Sequence, residues 1–210
     1  FSPPDWYPAP AALFTYRVSL SLPADQRGLV AGRLASESVA QGGAARYAAA
    51  FEFDHPADGI DLMAGPYVVR ERIVSREGAA PLRLRTYFAP AIDALADGYL
   101  EDSLRYIEMY SRRIGAYPFS EFSIVSGPLP TGFGMPTLTY LGESVIRLPF
   151  IRASSLGHEV LHNWWGNGVF ADLASGNWSE GLTTFMADYH FKERESAGAA
   201  RDARLGWLRD

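Results

Sequence analysis

Between Phe14 and Leu22 the side chains alternate without a break. Phe14, Tyr16, Val18, Leu20 and Leu22 fall on one side of an extended chain, and Thr15, Arg17, Ser19 and Ser21 on the other. A period of two marks a strand with one face in a core. Runs of similar character recur at 28–40, 44–53, 67–74 and 82–88, cut apart by Pro, Gly and Asp turn signals, so the first 88 residues are expected to be antiparallel β structure. Beyond Pro90 the period changes: Ile92, Leu95, Leu100, Leu104, Ile107 and Ile114 recur at helical spacing and predict an amphipathic helix that Gly115 and Pro118 end. A β-prone stretch follows at 122–125, then a Gly- and Pro-rich loop at 127–136 leading into 137–140, and two or three helices close the chain. The chain is therefore expected to be α+β, with an antiparallel β domain over 1–88 and a second domain over 89–210. There is no internal repeat, and the Pro-rich start at 3–10 is the one biased tract.

Composition narrows the function classes. A 48% hydrophobic chain of 210 residues is ordinary for a globular protein. Its formal net charge of −5, with no basic patch, argues against nucleic acid as a partner. No run approaches the roughly 20 apolar residues that span a bilayer, and the N-terminus lacks a signal-peptide pattern, so nothing within the chain supports membrane association. The chain opens at Phe1 rather than Met and is expected to be an excised or processed piece; its compartment stays open. With no cysteine, disulfides and thiolate metal sites are excluded, and any metal must be held by His and carboxylate.

The segment His158-Glu159-Val160-Leu161-His162 supplies the candidate chemistry. Two imidazoles four residues apart on a helix share a face with Cβ atoms about 5 to 6 Å apart, within reach of one ion. Zinc takes neutral imidazole nitrogens at about 2.0 to 2.1 Å and keeps a position open for water in catalytic sites. Glu159 lies about 100° around the helix from His158, beside that position, and is the candidate general base. The alternative is a surface helix with two solvated histidines, but with 4 His in the chain, two framing a Glu at this spacing favours the metal. Ser154 or Ser155 is the expected N-cap, and Gly166-Asn167-Gly168 the stop. A third ligand is needed. Glu180 opens the next helical stretch, where a carboxylate gains from the helix N-terminus. Asn177 with Glu180 three residues on also matches an N-cap pair in which Glu180 caps backbone amides, and spacing alone does not separate the two roles.

The run from His158 to Asn167, HEVLHNWWGN, followed by Asn177-Trp178-Ser179-Glu180-Gly181-Leu182-Thr183, closely resembles the membrane alanyl aminopeptidase family of gluzincins. The resemblance implies zinc, one per chain, bound by His158, His162 and Glu180, with Glu159 as catalytic base and peptides or proteins as substrate. It also implies a fold in which the end of an N-terminal β domain precedes the first half of a thermolysin-like catalytic domain. It is strong over about 90–190 and looser before that. The chain departs from the family in three ways. The 17 residues from 163 to 179 between His162 and Glu180 are one fewer than the family's commoner spacing. The family's Gly-x-Met-Glu-Asn signature appears as Gly132-Phe133-Gly134-Met135-Pro136-Thr137, without the glutamate that grips a substrate's free amine, so strict aminopeptidase specificity is not expected. Gly134 and Met135 can still present backbone groups to an extended peptide, the alternative being a plain Gly/Pro turn.

The third departure is that the family's transition-state tyrosine is expected beyond residue 210. Neither Tyr140 nor Tyr189 is assigned its role, and losing an oxyanion donor costs about 10² to 10³ in rate, so the piece alone is expected to be weak or inactive. Apolar surface exposed by truncation would promote self-association. Asp188, about 80° off the face of Glu180, is weighed as a carboxylate behind a zinc-bound imidazole and read instead as a solvated surface residue. Trp164, Trp165 and Trp178 are expected to pack in the core, and His55 and His190 to stand apart from the site. The sequence thus points to zinc-dependent, aminopeptidase-like hydrolysis of peptide bonds. The alternative is a zinc-holding module that captures peptides without cutting them.

Overall fold

The structure, a computed structural model, describes residues 6–8, 10–40 and 45–209. Its strands in chain order are β1 (Phe14–Pro23), β2 (Arg27–Val30), β3 (Arg33–Val39), β4 (Arg46–Ala57), β5 (Leu62–Gly65), β6 (Val68–Arg76), β7 (Ala79–Phe88), β8 (Glu121–Gly127), β9 (Gly132–Met135) and β10 (Leu138–Gly142). The helices are α1 (Ala96–Arg113), α2 (Glu143–Ile146), α3 (Ser155–Leu161), α4 (Trp178–Thr184), α5 (His190–Glu195) and α6 (Ala197–Gly206). The architecture is α+β. Strands β1, β4 and β3 form one antiparallel sheet, β2 and β5 a two-stranded ribbon, and β6-β7-β8-β10-β9 a mixed sheet in which β7–β8 and β8–β10 run parallel. The connection between β7 and β8 contains a 3₁₀ turn at Pro90–Leu95 and α1, the crossover that parallel neighbours require.

The alternation in β1 appears in its burial, each second residue being exposed. The expected strand at 28–40 is two strands in different sheets. Gly32 breaks it at φ 117°, where a Cβ would lie 2.6 Å from the Glu52 carbonyl oxygen, so only glycine fits the bend. The run expected at 44–53 is β4; Ala44 itself lies outside the described residues. The expected loop at 127–136 contains β9, whose two glycines hide its strand character. Pairing with β10 builds it, in the register Met135↔Leu138, Gly134↔Thr139, Phe133↔Tyr140 and Gly132↔Leu141. Hydrogen bonding continues across residue 88, since β7 pairs with β8. That position is where strand gives way to helix, not where the sheet ends.

The central strands of the mixed sheet are buried on both faces. On one, Leu82, Leu84, Phe122 and Ile124 pack with Tyr99, Tyr106, Ile107 and Tyr110 of α1 and with Leu156, Val160, Leu161 and Trp164. On the other, Tyr87, Val125, Leu138 and Tyr140 meet Leu29, Val30, Tyr47 and Phe51. Three tyrosines of α1 also anchor the segments C-terminal to the sheet: Tyr99 Oη donates to Ile146 O (3.0 Å), Tyr106 Oη to Arg152 O (2.9 Å) and Tyr110 Oη to Gly157 O (3.1 Å). The approach is close. A Cβ on Gly157 would lie 2.7 Å from Phe191 and 2.8 Å from Tyr106. Helix α3 is thus seated on α1 by apolar contacts and hydroxyls, with its other face left for chemistry.

Candidate metal centre

Helix α3 carries His158 and Glu159, and His162 stands at its C-terminal end, before the expected stop at Gly166. Ser154 occupies the N-cap position, but its hydroxyl donates to Phe150 O instead of capping an amide (2.8 Å). In α4 the cap is Asn177, whose Oδ1 accepts from Glu180 N (3.4 Å) and Ser179 Oγ (2.9 Å). Asn177 thereby caps the helix, and the Glu180 carboxylate turns to the imidazoles instead. Glu180 Oε2 is 3.3 Å from His158 Nε2, Glu180 Oε1 is 3.2 Å from His162 Nε2, and the two Nε2 atoms are 3.1 Å apart.

The remaining ring nitrogens set the tautomers. His162 Nδ1 lies 3.0 Å from the Trp165 carbonyl, which can only accept, and His158 Nδ1 lies 2.8 Å from Asp188 Oδ2. With both Nδ1 atoms donating, neutral imidazoles present two Nε2 lone pairs and a carboxylate to one point. Three acceptors so close repel one another unless a cation sits among them. Ligands held tetrahedrally at about 2.0 to 2.1 Å are about 3.3 Å apart, which is the spacing found here. His158, His162 and Glu180 are the group among the described residues whose ligand atoms converge this way. Burial alone would push the His158 imidazolium down, but the hydrogen bond and charge of Asp188, helped by Glu159 and Glu180, hold it above its usual range. The carboxylates demand positive charge at this point, and a divalent ion would meet that demand.

Asp188 therefore corrects the reading of a solvated surface residue. Residues 185–189 form a π-helical turn, which winds an extra residue into the helix and sets the phase back by about 100°, returning Asp188 toward the face of Glu180. Glu159 faces β9. A Cβ on Gly132 would lie 3.2 Å from its Oε1, and one on Gly134 2.9 Å from its Oε2 and 3.3 Å from His162 Cβ, so the two glycines let the strand reach the helix. Burial pushes the Glu159 carboxyl above its ordinary range; the charges of His158 and His162 oppose this, and those of Glu180 and Asp188 add to it. A cleft of about 690 Å³ opens over these groups, lined also by Gly134, Met135, Phe133, Leu129 and, from across the cleft, Asp61, Leu62 and Met63.

Of the other expected residues, Trp164 is buried and donates to Gly115 O (3.1 Å), while Trp165 is half-buried, with its Nε1 3.3 Å from Met186 Sδ. Trp178 departs from core packing, being exposed at the start of α4 with its ring 6.2 Å from that of Trp165. Tyr140 fills a strand position, and its hydroxyl accepts from Leu129 N (2.7 Å). Tyr189 is bonded by Arg204. His55 and His190 stand beside Asp54 and Glu193 (3.5 and 3.6 Å), away from the centre. Sequence reasoning missed Asn163. This buried side chain accepts from Thr137 N (2.9 Å) and Tyr117 Oη (3.2 Å) and donates to Val160 O (3.0 Å). It ties the β9–β10 turn to the C-terminal end of α3. An amide immediately after the second histidine was the available signal.

No protein-family model matches the chain, and no curated protein matches it. Solved structures do. The M1 zinc metallopeptidase from Deinococcus radiodurans is similar with a TM-score of 0.63 and 22% identity, over 93% of this chain and 44% of that one. A point mutant of it bound to a Tyr-Ser-Ala substrate gives 0.63 and 20% over the same shares. A two-domain M1 zinc metallopeptidase mutant bound to L-arginine gives 0.61 and 20%, again covering 93% and 44%. The chain shares their fold and spans less than half the length of each.

Proposed function

We propose that this chain holds one zinc ion through His158, His162 and Glu180 and that the protein hydrolyses peptide bonds in the manner of an M1 aminopeptidase, with altered recognition of the substrate's amine. The observation that carries this reading is the convergence of two Nε2 lone pairs and the Glu180 carboxylate at spacings of 3.1 to 3.3 Å, with both Nδ1 atoms anchored. Zinc bound there supplies a Lewis acid for the peptide carbonyl and lowers the pKa of a water to about 7. Glu159 is the proton carrier: its carboxylate, half-buried beside the histidines and facing β9, accepts the water's proton and delivers it to the leaving amine. Asp188 and the Trp165 carbonyl hold the imidazoles in the ligating tautomer. The outer edge of β9, free of sheet partners among the described residues, can pair with an extended peptide through Gly134 and Met135. Pro136 follows where the family has its amine-gripping glutamate, which supports relaxed selection for a free N-terminus.

The test is metal content with turnover. The full-length protein, dialysed exhaustively and assayed with internally quenched and N-terminal aminoacyl peptides, is expected to retain one zinc per chain and to cleave. His162→Ala is expected to lose both metal and cleavage. Zinc retained with peptide affinity but no turnover would instead establish a peptide-capturing module, and absence of zinc would end the reading.

A further inference from the structure

The two faces of β9 differ. Gly132 and Gly134 face Glu159 and His162, whereas Phe133 is turned to the opposite face, paired in register with Tyr140 at 5.9 Å between ring centroids. Phe133 is nonetheless 52% exposed and Leu129 57%, and both line the cleft with Leu62 and Met63. Large apolar groups held open to water beside a reactive centre mark a surface built to be covered. Among the described residues, the carboxylate and imidazole side chains lining the cleft are Asp61, His158, Glu159, His162 and Glu180, and no lysine or arginine lines it. A substrate carboxylate would find no cationic side chain there among the described residues.

We propose that the protein selects peptides carrying a large apolar side chain beside the scissile bond, and that Phe133 is the residue that selects it. This rests on the peptidase reading. Along an extended peptide lying on the edge of β9, successive side chains alternate between faces. A residue opposite Gly134 shares the face of Glu159 and His162, and its neighbour opposite Phe133 is turned away from the metal. Directly opposed residues place their Cβ atoms about 4.5 to 5.5 Å apart, so that neighbour's side chain lies against the Phe133 ring. An aromatic or branched apolar group there is covered by Phe133, Leu62 and Met63. An acidic one is desolvated near Asp61 without a counter-charge.

Equilibrium binding separates this from catalysis. Full-length, zinc-loaded Glu159→Gln protein is titrated with fluorescent peptides that differ at one position, Phe, Ala or Asp. The Phe peptide is expected to bind about tenfold or more tighter than the Ala peptide, with Asp weakest. Phe133→Ala is expected to shrink the Phe-to-Ala ratio to within about threefold at unchanged melting temperature, the site being exposed. Phe133→Lys is expected to bring the Asp peptide up. A preference that survives Phe133→Ala, or affinities independent of the side chain, would overturn this inference and leave the peptidase reading standing. Zinc-loaded protein that binds none of the peptides would overturn both.

Discussion

On the α3–α4 side of the cleft the groups that would act are side chains: His158, His162 and Glu180 around one point, Glu159 beside them, Asp188 behind. On the β9 side they are largely main chain, Gly132 and Gly134 being bare so that the strand can lie against Glu159. The first wall is specified by residue types at fixed spacing and the second by what is missing from two positions. The walls should therefore fail differently: substitutions on the metal wall remove chemistry, and those on the strand wall displace it.

The largest effect belongs to Glu159→Gln. A near-isosteric amide cannot accept the water's proton, so turnover is expected to fall by about 10² to 10⁴ with zinc content unchanged. Hydrolysis persisting at the parent rate would remove Glu159 from its role and erase the distinction between the walls. Next is Gly134→Ala. Its Cβ would meet Glu159 Oε2 at 2.9 Å and His162 Cβ at 3.3 Å, so strand or carboxylate must shift. Displacement of about 1 Å at a reacting group can cost about 10², and the loss should appear in kcat while zinc stays bound. A fully active Gly134→Ala would show that β9 does not press on the Glu159 carboxylate.

How much was legible divides along the same line. The convergence of His158, His162 and Glu180 could be read because its code is local: two histidines one turn apart, and a glutamate three residues after an asparagine. Asn177 supplies its half of that pair, while the Glu180 carboxylate lies against the two imidazoles. Asp188 was misjudged because a count of 100° per residue assumes unbroken α-helix, and the π turn at Phe185–Tyr189 resets the phase. The β9 wall could not be read from local pattern, since Gly132 and Gly134 carry no strand propensity and the strand exists through pairing with β10. The mixed sheet was half legible for a similar reason. Four of its five strands were found, all but β9, but parallel pairing of β7 with β8 joins segments on either side of α1, and no local periodicity encodes that partnership. Asp188→Ala sharpens the point: an unsupported His158 should weaken zinc affinity by about 10- to 100-fold, measured by competition with a chelator. Unchanged affinity would restore the solvated reading of that residue.

The smallest effect on rate and the clearest on stability is expected at Asn163, because it belongs to both walls. It sits one residue past His162, and its amide oxygen accepts from Thr137 N in the turn that joins β9 to β10. Thr137 is held at φ 62°, a region β-branched residues avoid, and its Oγ1 accepts from Gly32 N (2.7 Å) at the bend between β2 and β3. One amide thus sets the height of the glycine strand over the metal helix while the threonine ties both to the first sheet. Asn163→Ala leaves Thr137 N without its acceptor in a buried place, while Tyr117 Oη keeps the Glu121 carbonyl (3.0 Å), a loss of about 1 to 3 kcal/mol in unfolding free energy. Zinc binding should survive, because His162 keeps the Trp165 carbonyl on its Nδ1, a bond that does not involve the Asn163 side chain. If the strand wall acts through position, the folded fraction of Asn163→Ala should show a lower kcat, smaller in size than for Gly134→Ala, with Glu159 chemistry otherwise intact. A variant that loses stability yet keeps the parent kcat would mean that the turn is held for folding alone, and that β9 finds its place over Glu159 without the amide.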